Sequence, residues 1–221
     1  MHTTNTADYV PSTINDAPVR RQLGRIPGIG MVKSIINTLT GAGDDQWCRI
    51  VMNRECLKIV QSIKPETLET LEISGDLWQR RATFKSYRSV HFPEYDLCAA
   101  ALPETYDLII AEQVFEHLLW PHRAARHIHQ MLRPGGRLLI STPFMIRVHP
   151  CPVDCCRWTE TGMKHLLADC GWSLDKIVTG SWGNRACVKG NLKRWVRYRS
   201  LFHSLKNEPE FPFVVWALAE K

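Results

Sequence analysis

The stretch from Tyr106 to Phe144 reads YDLIIAEQVFEHLLWPHRAARHIHQMLRPGGRLLISTPF, and it decides the fold. It opens with a short apolar run, Leu108 to Ala111, that is typical of a strand buried on both faces. Apolar residues then recur at helical spacing from Val114 to Leu132, and Pro121 separates two helical pieces. A Pro-Gly-Gly turn ends the second piece, and a second buried strand covers Arg137 to Ser141. This order of strand, helix, turn and strand predicts a right-handed crossover between parallel strands.

Length and composition favour one globular domain with an extension. The chain has 221 residues, of which 44% are hydrophobic and 23% charged, as in ordinary globular proteins. No apolar run approaches the about 20 residues that cross a bilayer, so we expect no membrane span. Residues 1 to 18 have neither the basic start nor the apolar centre of a signal peptide, which favours a cytoplasmic location. In that compartment we expect the eight cysteines to be reduced thiols.

The formal net charge is +6, and much of the excess lies near the C-terminus. Such a charge raises nucleic acid or a membrane surface as partners. The stretch from Lys189 to Lys206 interleaves basic and aromatic residues, which would suit a groove that follows phosphates. The same pattern more often belongs to an amphipathic helix with a solvated basic side. We favour the helix, so nucleic acid is the less favoured partner.

The opening stretch resembles the class I, Rossmann-like methyltransferases that use S-adenosylmethionine (SAM), from their fourth to their fifth strand. Glu-His-Leu at 116 to 118 and Leu-Arg-Pro-Gly-Gly at 132 to 136 together carry this resemblance. The resemblance implies an α/β fold with a doubly wound, mostly parallel sheet of seven strands and an antiparallel last strand. Such a sheet binds its ligand at the carboxyl ends of the strands.

The resemblance covers roughly residues 67 to 221, which we expect to form the SAM-binding domain. Two β-rich stretches, 172 to 180 and 213 to 219, fit the antiparallel pair that closes the sheet in the family. Residues 1 to 66 are expected to form a flexible tail and an N-terminal helical cap. Apolar residues at helical spacing predict the helices of this cap at Met31 to Leu39 and Asp45 to Ile63.

The resemblance implies that the turn after the first strand of the sheet binds the methionine part of SAM. We expect this strand at 67 to 75, and its turn supplies the cofactor-binding residues Glu72, Ile73, Ser74 and Gly75. Small residues are needed there because the backbone must approach the ligand closely. The family has two or three glycines in this turn, whereas this chain has one.

Two further turns are implied in cofactor binding. After a strand expected at 87 to 92, His91 stands where the family has an acidic residue for the ribose hydroxyls, with Glu94 as the alternative. Asp96 and Leu97 resemble the pair that contacts the adenine amino group and ring. The residues after the fourth strand, where polar groups face the cofactor, are Glu112, Gln113 and Val114.

Candidate catalytic residues lie in two places. His117 could take a proton from an acceptor hydroxyl as neutral imidazole, although a structural or cofactor-side role fits the family equally well. The segment from His149 to Thr159 resembles the family's stretch beside the acceptor pocket, and there His149 and Asp154 are candidates for a base and its orienting partner. The same segment could supply zinc ligands from His149, Cys151, Asp154, Cys155 and Cys156, but no second Cys-x-x-Cys or His-x-x-x-His pair completes a site, so we expect no metal.

These observations predict a SAM-dependent methyltransferase with a small-molecule or glycan-like acceptor, methylated at oxygen or nitrogen. Because SAM carries an activated methyl group, the protein must align the reacting atoms and at most supply a base. Methylation of RNA or protein would suit the basic charge, but the Asn/Asp-Pro-Pro-aromatic tetrapeptide of many amino-group methylases is missing after the fourth strand. A catalytically inactive binding or scaffold subunit would suit the single glycine and the missing ribose-binding acid.

Overall fold

The computed structural model describes residues 42 to 151 and 153 to 221. The tail and the helix expected at Met31 to Leu39 lie outside this range. In chain order the strands are β1 (Ala42–Gln46), β2 (Glu69–Ile73), β3 (Ser86–Val90), β4 (Tyr106–Glu112), β5 (Leu132–Pro143), β6 (Ile177–Trp182), β7 (Arg197–Arg199) and β8 (Val214–Glu220). The helices are α1 (Ile50–Ser62), α2 (Trp78–Arg81), α3 (Pro121–Met131), α4 (Glu160–Asp169) and α5 (Arg185–Asn191). Among the described residues, no helix is long and apolar enough to cross a membrane.

The main sheet has the strand order β3-β2-β4-β5-β8-β6. The neighbours from β3 to β5 are parallel, and β8 runs antiparallel to both β5 and β6. The predicted α/β class and the antiparallel last strand are therefore confirmed. Over the described residues the sheet has six strands, not the expected seven. Residues 91 to 105 form turns instead of a further strand, as shown by the hydrogen bonds from Tyr95 N to His91 O (2.8 Å) and from Ala99 N to Asp96 O (3.0 Å).

The central strand β4 is buried on both faces, as its apolar run predicts. Leu108 and Ile110 pack with α1 on one face, while Ile109 and Ala111 pack with α3 and α4 on the other. All four side chains have no exposed surface. Because successive side chains of a strand alternate between faces, one apolar run supplies both cores. Helices thus cover both faces of the sheet, which confirms the doubly wound arrangement.

The N-terminal described segment packs against this sheet. α1 buries Val51, Met52, Cys56 and Val60. It begins at Ile50, later than predicted, because β1 comes first and pairs with β7 in a separate two-stranded sheet. The division of the chain after residue 66 stays a prediction.

The basic stretch from Lys189 to Lys206 does not form the expected amphipathic helix, so that interpretation was wrong. α5 ends at Asn191, whose buried amide group donates to Cys187 O and accepts from Val196 N, both at 2.9 Å. These bonds reverse the chain and allow β7 to pair with β1. The pattern of the stretch could not reveal this, because the partner strand lies far away in the sequence.

Candidate functional site

The carboxyl ends of β2, β3 and β4 meet at one edge of the sheet, because these parallel strands are neighbours. Ser74 and Gln113, which follow β2 and β4, adopt left-handed backbone conformations with φ of 57° and 58°. Each turn is tied to an adjacent strand. Ser74 N donates to Val90 O (2.7 Å), and Gln113 N donates to Ser141 O (2.8 Å). Open α/β sheets bind ligands at such an edge.

Glu72 shapes the loop between β2 and α2 from within. Its carboxylate accepts hydrogen bonds from the Trp78 backbone N–H (3.0 Å) and from the Tyr87 hydroxyl. Burial raises the pKa of Glu72 despite these bonds. A Cβ atom at Gly75 would overlap a carboxylate oxygen of Glu72. The loop therefore requires glycine at position 75, and the Glu72 carboxylate already binds groups of the protein.

His91 presents a ring nitrogen beside this loop, and Asp96 follows in the turns after β3. The Ser89 hydroxyl donates to the Gly75 carbonyl and lies 2.9 Å from Nε2 of His91. Asp96 is exposed, and one of its oxygens accepts from Cys98 N at 2.8 Å. Leu97 differs, because its side chain is buried in the core next to α3. His91 and Asp96 are thus available to a ligand, whereas the side chain of Leu97 is covered.

Glu112 links three parts of the fold. Its carboxylate lies 3.0 Å from Arg81 and 3.5 Å from Arg49, and it accepts a hydrogen bond from the Trp78 indole at 3.1 Å. These contacts hold α2 and the residues before α1 against the end of β4. Ile73 and Val114 are buried in the core. The side chains of Ile73, Glu112 and Val114 therefore contact other parts of the protein and stabilise the edge.

The groups at this edge are of the kinds that bind SAM. SAM has hydroxyl, amino and ammonium groups, which bind to carboxylates, carbonyls and imidazoles. The backbone turns at Ser74 and Gln113, the small Gly75 and the polar His91 directly follow three adjacent strands, and Asp96 comes five residues after His91. All five of these residues are exposed or half-buried. They can therefore contact a ligand at the edge.

A cavity of about 600 Å³ adjoins this edge, beyond the ends of β4 and β5. Each wall comes from a different part of the chain: the turns after β4 and β5, the segment before α1, and the stretch after α5. The lining includes Gln46, Arg49, Gln113, Glu116, His117, Arg147, His149, Cys151 and Trp195. Cavities of this size hold small-molecule ligands.

His149 lines this cavity, and Asp154 contacts it, as the sequence suggested. Asp154 accepts from the His149 backbone N–H at 2.7 Å, and it lies 3.2 Å from Nδ1 of the same residue. Arg157 donates to both oxygens of Asp154. Burial acts to raise the pKa of Asp154, but the hydrogen bonds from Arg157 and His149 outweigh it and lower the pKa well below its usual range. Burial also lowers the pKa of His149.

Glu116 and His117 lie in a short turn, Phe115–His117, between β4 and α3. Phe115 has no exposed surface and anchors the turn in the core. The Glu116 carbonyl accepts from Cys155 N (2.7 Å) and Cys156 N (3.2 Å), which holds the segment after β5 beside the turn. Nδ1 of His117 lies 2.5 Å from the carbonyl oxygen of residue 153, so this nitrogen carries the proton. Burial raises the pKa of Glu116 to about 7.

The fold brings the candidate catalytic residues together. The rings of His117 and His149 lie 5.1 Å apart between centroids. Sequence reasoning missed the carboxylate of Glu116, although this residue belongs to the Glu-His-Leu motif. It also missed Arg147 and Trp195, which stack with a separation of 4.6 Å. No local pattern signals that pair, because Trp195 comes from the stretch that was expected to be helical.

Comparisons with known proteins identify the family and support the fold. A family model described as a methyltransferase domain matches residues 40 to 176. No curated protein matches the chain in sequence. A SAM-dependent methyltransferase from Archaeoglobus fulgidus has a TM-score of 0.52 at 10% identity, over 86% of this chain and 99% of that one. Another from Mesorhizobium loti has a TM-score of 0.46 at 14% identity, over 74% of this chain and 96% of that one.

The family match extends from β1 to the turn before β6, so it includes the three strand ends and the turn that holds Glu116 and His117. It spans more than half of the chain. The structural similarity to the archaeal enzyme supports the same fold independently of sequence identity. The chain therefore belongs to the methyltransferase-domain family, as a class I SAM-dependent methyltransferase whose cofactor is SAM.

Proposed function

We propose that the protein methylates an oxygen or nitrogen atom of a small-molecule or glycan-like acceptor bound in the cavity of about 600 Å³. One observation carries this proposal: two imidazoles, His117 and His149, line a cavity that adjoins the sheet edge at the carboxyl ends of β2, β3 and β4. A hydroxyl or ammonium group must lose a proton when it is methylated, and a neutral imidazole can accept that proton. The volume of the cavity lies within the range of small-molecule sites, which supports a small acceptor over a protein or RNA surface.

In this proposal His149 is the proton acceptor and Asp154 is its positioning residue. The ionised Asp154 can only accept a hydrogen bond, so Nδ1 of His149 carries the proton and Nε2 has the free electron pair. Because burial lowers the pKa of His149, its ring is neutral near neutral pH. His117 has the same arrangement with Val153 O as the partner of Nδ1, and it is the second candidate.

We further propose that the cofactor lies along the ends of β2, β3 and β4. When bound, SAM supplies an activated methyl group, and the chain binds it and aligns it with the acceptor. Ser74, Gly75, His91, Asp96 and Gln113 would contact it directly. The side chains that would act by shaping this edge are those of Glu72, Ile73, Leu97, Glu112 and Val114.

The test combines calorimetry with an acceptor screen. Purified protein is titrated with S-adenosylhomocysteine, and formation of this product from SAM is then followed with sets of small hydroxyl and amine compounds, sugars, RNA and proteins. We expect one-to-one binding and turnover with a small acceptor. Absence of binding would favour the scaffold alternative, and turnover with RNA or protein alone would contradict the proposed acceptor class.

His149→Ala tests the proposed base. We expect turnover to fall by about 100-fold or more, the usual effect of losing a general base, with affinity for S-adenosylhomocysteine nearly unchanged. His165→Ala is the matched control, because His165 is an exposed histidine of α4 and is not among the cavity-lining residues. If both variants keep full turnover, His149 is not the base.

A further inference from the structure

We propose that Glu116, His117 and His149 form a binding site for a divalent first-row transition metal ion in the wall of the cavity. Each of these residues brings one ligand atom within 4.8 Å of the ligand atoms of the other two. All three line the cavity. This set shares only His149 with the cysteine-rich set that the sequence suggested and disfavoured. Glu116 and His117 precede α3 and β5 in the chain, whereas the cysteine-rich segment follows β5.

Glu116 is the first reason for this proposal. Its side chain has no exposed surface, and within the described part of the chain neither carboxylate oxygen has a hydrogen-bond partner. A carboxyl group buried without a hydrogen-bond partner is costly whether or not it is ionised, and a bound cation would compensate the ionised form. The two nearby arginines are directed elsewhere, since Arg49 contacts Glu112 and Arg157 contacts Asp154. A metal ion between Glu116 and the imidazoles would supply the missing partner.

The orientation of the two histidines is the second reason. Nδ1 of His117 is held by the Val153 carbonyl at 2.5 Å, and Nδ1 of His149 by the Asp154 carboxylate at 3.2 Å. Both partners can only accept hydrogen bonds, so Nδ1 is the donor in each ring and Nε2 has the free electron pair in the neutral form. Histidines that bind metals are oriented in this manner, with the second nitrogen donating to a carbonyl or carboxylate.

The spacing suits a shared ion. Nε2 of His117 lies 3.6 Å from Oε1 of Glu116. Two ligand atoms at about 2.0 to 2.2 Å from one tetrahedral zinc ion lie about 3.5 Å apart. A small movement of the side chains would therefore be enough to bind an ion.

The ligand set indicates the class of metal. Two imidazoles and one carboxylate are typical of catalytic zinc sites and of non-haem iron sites, whereas magnesium and calcium prefer oxygen ligands. Three protein ligands leave at least one position open toward the cavity. An acceptor hydroxyl in that position would lose its proton more readily. This role of the metal in catalysis rests on the proposed function, and His149 would then bind the metal instead of acting as the base. Metal binding itself does not depend on the proposed function.

Cobalt(II) is a suitable probe because its visible absorption reports the ligand geometry. Tag-free full-length protein is treated with a chelator, dialysed and titrated with Co²⁺, and Zn²⁺ binding is measured by competition. We expect one Co²⁺ per chain, displaced by Zn²⁺. Glu116→Gln and His149→Ala should each weaken binding by about 100-fold or more, and Asp154→Asn by about 10- to 100-fold, the usual effect of losing a partner of a ligand.

Two controls keep the test specific. His165→Ala removes an exposed histidine of α4, and Cys151→Ser removes the exposed thiol that lines the same cavity. Both should keep the affinity of the wild type for Co²⁺. Circular dichroism of each metal-free variant shows whether it is folded, and His149→Gln replaces His149→Ala if the latter is not.

The proposal is overturned if the wild-type protein binds no Co²⁺, or if Glu116→Gln and His149→Ala bind it as tightly as the wild type. Equal loss of binding in Cys151→Ser would also overturn it, because the ion would then depend on a different ligand set. Co²⁺ binding is read without SAM or acceptor. Its failure would leave methyl transfer with His149 as base intact, whereas failure to bind S-adenosylhomocysteine would count against the proposed function alone.

Discussion

Gly75→Ala is expected to disrupt the loop that follows β2. An alanine Cβ would overlap the Glu72 carboxylate and would lie 3.0 Å from its Cδ. The carboxylate fills this space because it binds Trp78 N and the Tyr87 hydroxyl. It must therefore move when the methyl group is present, and its hydrogen bonds are lengthened or lost.

The magnitude follows from these two bonds. A hydrogen bond to a charged group contributes about 1.5 to 3 kcal/mol, and partial relaxation of the loop recovers some of the loss. We expect Gly75→Ala to lower the free energy of unfolding by about 3 kcal/mol. For a domain of this size such a loss corresponds to a fall in Tm of about 6 to 12 °C. The affinity for S-adenosylhomocysteine should fall as well, because the displaced loop borders the proposed cofactor site.

A double-mutant cycle measured by urea unfolding tests the cause. Glu72→Ala removes the same two hydrogen bonds and also the atoms that the methyl group added at position 75 would meet. The double variant should therefore be about as stable as Glu72→Ala alone, with a coupling energy of about 3 kcal/mol. If the two single effects add to within about 0.5 kcal/mol, the residues act independently and the reasoning is refuted.

Gly190→Ala is the matched control for the glycine substitution. Gly190 lies in α5, and its added Cβ would be 3.6 Å from the side chains of Trp47 and Val196, an ordinary contact distance. Alanine favours the helix by up to about 1 kcal/mol over glycine. We expect this variant to be as stable as the wild type or slightly more stable.

Two further predictions concern helix capping and thiol exposure. Thr159 caps α4 by accepting a backbone N–H at 3.1 Å, so Thr159→Ala should lower the free energy of unfolding in urea by about 1 kcal/mol. The control Thr161→Ala, at an exposed position, should change it by less than about 0.5 kcal/mol. Equal effects of the two substitutions would exclude the cap. With an aromatic disulfide reagent at neutral pH, the exposed Cys151 and Cys155 should react in the folded protein. Cys48 should react only after unfolding, because it is buried and its pKa is raised to about 11. Rapid labelling of Cys48 in the native state, identified by peptide mass, would contradict its burial.

Several parts of the fold were predictable because their signals are local. The apolar run of β4 alternates between two cores, and Pro121 begins α3 after the break that its ring imposes. Thr159 begins α4 by a local contact as well, because its side chain accepts the backbone N–H of Gly162, three residues further on. Each of these features depends on neighbours within one or two turns of the chain, so sequence spacing reveals it.

Other features depend on partners distant in sequence. β7 exists because it pairs with β1 and because Asn191 ends α5, and neither contact appears in the basic and aromatic pattern around it. Leu97 is covered by the core, although its position in the motif suggested contact with adenine. Propensity and motif position identify a residue, but packing decides which of its atoms a ligand can reach.

The sequence by itself determined the crossover from β4 to β5, the family and its cofactor. Buried apolar runs, helical spacing and two short motifs indicate them, and each of these patterns is local in the sequence. Only the tertiary structure decided that the Glu116 carboxylate lies without a hydrogen-bond partner among the described residues, beside His117 and His149. The physical reason is distance along the chain: α3 and β5 separate the two histidines, and only the folding of both elements onto one sheet brings their rings to 5.1 Å. Burial then gives these polar groups properties that their residue types alone do not have.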